Sequence, residues 1–81
     1  MSVTLYALTT CPYCRMVKRF LDDGAVTYEL VEVDKLEGAA KEAVVAEVRR
    51  LSGGASFPVI VIGDEVIVGF NKVRIKELLG L

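Results

Sequence analysis

Thr9-Thr10-Cys11-Pro12-Tyr13-Cys14 holds both cysteines of the 81-residue chain, separated by two residues. Pro12 sets the local geometry. Proline is favoured at the first position of a helix, where its missing N–H is not needed and its fixed φ already suits the turn. Cys11 is therefore expected at the N-cap, its side chain facing the free N–H groups of Tyr13 and Cys14 at the positive end of the helix dipole. A thiolate is stabilised there relative to a thiol, and the thiolate is the nucleophile. Cys14 falls one turn further in, close enough to close a disulfide with Cys11.

Three other readings of the pair compete with this one. A purely structural disulfide across so short a loop contributes roughly 2 kcal/mol in the chain-entropy model and ties no distant parts of a fold together. A tetrahedral Cys/His zinc site needs four ligands, and the chain has no His and no third Cys. Two coincidental buried cysteines do not account for the proline beside the first or the strand before it. Redox chemistry is the reading that uses all these features.

Outward from the pair, Val3 to Leu8 is a run of β-branched, aromatic and aliphatic residues that predicts a strand. The cysteine helix follows directly. Met16, Val17, Phe20 and Leu21 form its apolar stripe, with Arg15, Lys18, Arg19 and Asp22 opposite, and Gly24 ends it as a C′ residue. Val26 to Val33 is a second strand, in which Glu29 and Glu32 mark an edge or one wet face. Asp34 and Glu37 are spaced as a capping box for a helix running to about Leu51, striped by Leu36, Ala40, Val44, Val48 and Leu51. Arg49 and Arg50 suit the negative end of its dipole. Phe57 to Ile62 is a continuous apolar run that admits a proline only at its entrance, as a buried central strand does. Gly63-Asp64 turns it into Glu65 to Val68 as a hairpin partner. Asn71 then caps a short last helix facing inward through Ile75, Leu78 and Leu79.

The order β-α-β-α-β-β-α over residues 1–81 predicts a single α/β domain. Its first two strands pair through a right-handed helical crossover and its last two form an antiparallel hairpin, giving a four-stranded mixed sheet with helices on both faces. The cysteine helix would start at the C-terminal end of the first strand, where α/β sheets place their ligand sites. A chain this short buries only about 60 % of its unfolded surface yet folds without staples, and its 53 % apolar content supports a real core. A formal charge of −1 gives no sign of a nucleic-acid or membrane partner. No secretory signal is read at the N-terminus, and no apolar run approaches the roughly 18 residues of a membrane helix. A cytoplasmic monomer is expected, a setting in which a Cys pair is more often catalytic than structural.

Thr10-Cys11-Pro12-Tyr13-Cys14, Lys18, Ser56-Phe57-Pro58 and Gly69 before the last helix together make the chain resemble a glutaredoxin, over nearly its whole length. The resemblance implies a thioredoxin-like fold and a dithiol–disulfide oxidoreductase, with no tightly bound cofactor and no metal. Cys11 would be the attacking thiolate and Cys14 the resolving one, supported by Thr10, Pro12 and Lys18. Pro58 would be a cis-proline facing the disulfide, and the backbone of Phe57 would pair with the substrate cysteine. Tyr13, Gly69, Phe70 and Lys72 complete the expected substrate-binding set, and disulfide-containing proteins are the expected partners.

Glutathione is implied as reductant or substrate, but the chain departs from glutathione-linked members. They carry Lys three residues before the first Cys, where this chain has Leu8, and Gly-Gly followed by Asp at the last helix, where it has Gly69-Phe70-Asn71-Lys72. Phe70 adds bulk, and Lys72 would repel the γ-glutamyl ammonium group. The tail is similar to glutaredoxin-like redoxins reduced by thioredoxin reductase, some of which serve ribonucleotide reductase, so both donors stay open. A further reading within the family is a dimer holding an iron–sulfur cluster through Cys11 of two chains and two external thiols.

Overall fold

Side chains of Val3, Leu5 and Ala7 are buried and those of Thr4 and Tyr6 half-buried, the period-two alternation of a strand with unequal faces. This is β1 (Val3–Ala7) in the computed structural model, which describes residues 2–54 and 56–81. It leads into α1 (Pro12–Asp23), β2 (Glu29–Glu32), a single 3₁₀ turn (Val33–Lys35), α2 (Gly38–Ser52), the hairpin β3 (Val59–Ile62) and β4 (Glu65–Val68), and α3 (Lys72–Leu79). The strands lie in the order β2-β1-β3-β4. β2 is parallel to β1, with Ala7 opposite Glu32, and β3 and β4 are antiparallel to their neighbours. Glu29 and Glu32 thus sit on an edge strand, as their charges imply.

Two layers of helix cover the sheet. Val3, Leu5 and Ala7 share a core with Ile60, Ile62 and Ile67, closed by Cys14, Val17 and Leu21 of α1 and Ile75 of α3. On the other face Tyr6 lies within reach of Glu47 and Arg50, α2 packs against β4, and Val48 and Val59 are buried. No helix of the described residues is long and apolar enough to cross a membrane.

Six expectations are corrected. The core-facing line of α1 is Cys14, Val17 and Leu21, spaced i, i+3, i+7. Met16, on the neighbouring line with Phe20, stays 47 % exposed. Gly24 is not left-handed: its φ is −82°, and Ala25 takes the positive φ of 54° instead. A Cβ on Gly24 would stand 3.1 Å from the Leu81 side chain, so glycine serves close packing there.

Asp34 and Glu37 do not form a capping box. Leu36 and Glu37 are both extended (ψ 156°), so α2 starts only at Gly38, with Glu37 at its N-cap making no side-chain bond. Its expected stripe is buried only at Val48, while Ala40 is exposed, because one side of α2 faces solvent. Finally, β2 begins three residues later than expected, and β3 begins after Phe57 and Pro58, which are joined by a cis peptide bond.

Candidate active site

Cys11 is the N-cap of α1, in extended conformation (φ −86°, ψ 118°), with Pro12 at the first helical position. Its backbone N–H donates to the Leu8 carbonyl at 3.2 Å, closing the turn out of β1, and its carbonyl accepts the first helical bond from Arg15 N–H at 3.2 Å. That leaves its Sγ over the open end of the helix, where it accepts the Cys14 N–H at 3.4 Å. The two thiols differ in access. Cys11 is half-buried, whereas Cys14 is 1 % exposed. Burial pushes the Cys14 thiol up to about 11, helped by its hydrogen bond with Cys11.

The residues expected around the pair fall into three groups. Cys11, Phe57 and Phe70 border the same core that buries Cys14, and Pro58 is buried beside them in sequence. The Gly69 N–H donates to the Pro58 carbonyl at 2.8 Å, tying the end of β4 to the entrance of β3. Gly69 has a φ of +82° with open space where a Cβ would point, so the backbone turn alone calls for glycine. The Phe57 backbone stands outside the ladder, which starts on β3 at Val59.

At the other end of the group, Phe70 meets Phe20 edge-on at 6.0 Å between centroids, and the Lys72 ammonium lies 5.7 Å above the Phe20 ring. An exposed contact of that kind is worth about 0.5–1 kcal/mol. Met16, Arg19, Phe20, Asp23 and Phe70 line a groove of about 320 Å³ there. Tyr13 is 61 % exposed next to Cys14 in sequence, and Thr10 is exposed in the turn. Lys18 lies apart from these groups, along a shallow cleft of α1 lined with Arg15, Arg19, Asp22 and Asp23.

One member of the site escaped the sequence reading. Asp34 accepts the Thr9 N–H (3.0 Å to Oδ1) and the Thr9 hydroxyl, and these bonds hold its carboxyl below the usual carboxylate range. The signal for it was the parallel pairing of β1 and β2. With Ala7 opposite Glu32, continuing two residues along each chain places Thr9 opposite Asp34.

Residues 3–67 match the family model for glutaredoxin. The chain belongs to the glutaredoxin family. Like other glutaredoxins it is a thiol–disulfide oxidoreductase with the thioredoxin fold, and its Cys-X-X-Cys pair stands at the start of α1. A glutaredoxin of Neisseria meningitidis is 36 % identical over 81 residues, covering 99 % of this chain and 91 % of that protein. The crystal structure of a glutaredoxin from Archaeoglobus fulgidus superposes with a TM-score of 0.92 at 40 % identity, over 96 % of this glutaredoxin and 85 % of the other. The NrdH-redoxin of Escherichia coli, a glutaredoxin-like protein described as having a thioredoxin-like activity profile, superposes with a TM-score of 0.77 at 31 % identity, over 96 % of this chain and 95 % of its own.

Proposed function

We propose that this glutaredoxin reduces protein disulfides by two-step exchange, with Cys11 attacking and Cys14 resolving. The observation that carries the reading is the inequality of the two thiols: Cys11 Sγ stands half-open on a helix N–H, and Cys14 is sealed and held protonated. The Cys11 thiolate attacks one sulfur of the substrate disulfide, and the second substrate sulfur leaves as a thiolate and takes up a proton. Once Cys11 is in a mixed disulfide it no longer carries the charge and hydrogen bond that helped keep Cys14 protonated. Cys14 then loses its proton and attacks Cys11 Sγ, releasing the first substrate sulfur as a thiol. The sum is one substrate disulfide reduced by two electrons and two protons, and one Cys11–Cys14 disulfide formed.

Mixing Cys14→Ser with a protein disulfide substrate tests it. The variant should accumulate a covalent complex through Cys11, whereas Cys11→Ser should form none and lose reductase activity. A complex trapped by Cys11→Ser instead would reverse the roles.

A second observation bears on the electron donor. Phe70 and Lys72, at the start of α3, rest against Phe20 of α1 and put bulk and positive charge where glutathione-linked members are expected to offer open backbone. Together with Leu8 in place of a cation, this favours thioredoxin reductase over glutathione, in line with the activity profile ascribed to the Escherichia coli redoxin. Oxidised protein offered either NADPH with thioredoxin reductase or glutathione should be reduced faster by the reductase. Equal or faster reduction by glutathione would return the donor to the commoner glutaredoxin type.

A further inference from the structure

Every polar group of Thr9 is held by a side chain from another element. The Asp34 carboxylate, from the 3₁₀ turn after β2, takes the Thr9 N–H at 3.0 Å to one oxygen and 3.2 Å to the other, and accepts the Thr9 hydroxyl as well. From the opposite side Arg15 of α1 donates through Nη2 to the Thr9 carbonyl at 3.3 Å. Thr9 and Thr10 are the two central residues of the turn that ends at Cys11. Threonine hydroxyls support a turn more weakly than Asn or Asp side chains do, and here the Thr9 hydroxyl is given to Asp34. Beyond its own bond from Cys11 N–H to the Leu8 carbonyl, this turn is held by Asp34 and Arg15, and it leads directly into the N-cap. The Cys11 Sγ contact with the Cys14 N–H, at 3.4 Å, is an ordinary distance for a sulfur acceptor, and it depends on where the turn sets the N-cap.

We infer that Asp34 is a positioning residue for the thiol chemistry: by gripping Thr9 it fixes the turn that aims Cys11 Sγ at the helix end. The inference rests on the reading of Cys11 as the exposed nucleophile. It assigns Asp34 no contact with substrate and no part in proton transfer.

Competitive alkylation of the reduced protein by iodoacetamide at neutral pH, quantified at each cysteine by peptide mass spectrometry well below the melting temperature, tests it. Asp34→Ala and Thr9→Val should lower the ratio of Cys11 to Cys14 modification about tenfold, because displacements under an ångström are costly at a reacting atom. Thr9→Ser, which keeps both donors, should recover most of the ratio lost in Thr9→Val. An unchanged ratio in folded Thr9→Val, with only a lower melting temperature, would reduce the contact to fold stability and overturn the inference even if Asp34→Ala lowers the ratio, because, beside burial, the Asp34 charge by itself helps hold the Cys14 thiol up. So would a Thr9→Ser ratio as low as that of Thr9→Val. If Asp34→Ala does not fold, Thr9→Val decides alone, since it removes a single hydroxyl. Alkylation does not depend on turnover, so a wild-type protein unable to reduce protein disulfides would sink the proposed function and leave this result to stand or fall separately.

Discussion

Three hydrogen bonds converge on the Asp34 carboxylate, all from Thr9, and they lower its carboxyl from the ordinary value. A carboxyl that is more acidic folded than unfolded contributes stability that is fully present above the unfolded value, about 3.9 for Asp. That contribution is lost as the pH falls through the folded one. Asp34→Asn should therefore have a lower urea midpoint than wild type at about pH 6, and the gap should narrow as the pH falls below the ordinary Asp value of about 3.9; a gap independent of pH would mean the charge is not what matters. Asp34 also marks the limit of local pattern at this scale. Its spacing to Glu37 matched a helix cap, but its oxygens are used by Thr9, 25 positions away in the chain. Cys11 was legible because its environment is made by its own neighbours: Pro12 next to it and the Cys14 N–H one turn on. The burial that separates the two thiols was not, since it comes from strands and α3.

Among the elements, α1 is defined locally at its start and by distant parts at its end. Proline and the N-cap begin it wherever the chain goes next, but its last turn is shaped by Leu81 lying against Gly24 and by Val26 N–H reaching back to the Leu21 carbonyl at 3.0 Å. Glycine was therefore read as the left-handed cap when the left-handed residue is Ala25. A left-handed L-residue costs roughly 1–2 kcal/mol, and glycine gives back about 0.5–1 kcal/mol in chain entropy. Ala25→Gly should thus stabilise the protein by about 0.5 kcal/mol, seen as a rise of a few degrees in melting temperature, whereas a fall would show that the Ala25 methyl makes a contact worth more than its strain. By contrast, the cap of α3 was readable outright. Asn71 accepts the Arg74 N–H at 3.2 Å, a bond made wholly within four consecutive residues.

On the scale of the molecule, the parallel pairing of β1 with β2 and the antiparallel hairpin followed from the sequence of elements, because few four-stranded arrangements accept a helix after β1 and a tight hairpin between β3 and β4. The length of β2 and the face each helix covers did not, since both depend on pairing and packing at long range. The reactive pair belongs to the layer of α1 and α3, and Val48 with Val59 to the other. Val48→Ala should cost about 2 kcal/mol of stability by leaving a cavity under α2, while the rate at which Cys11 is modified stays that of wild type. A matching loss of reactivity would mean that the sheet transmits strain from one face to the other.

The alignment of Thr9 with Asp34 also fixes how many residues may connect β2 to the first turn of the chain beyond it. Loops ordinarily tolerate insertions, because closing a slightly longer loop costs little. Val33-Asp34, just past the end of β2, has no such latitude. One residue added there would leave the pairing of β1 with β2 whole and carry the carboxylate past its threonine, so a segment outside any strand has its length set as tightly as the strands themselves.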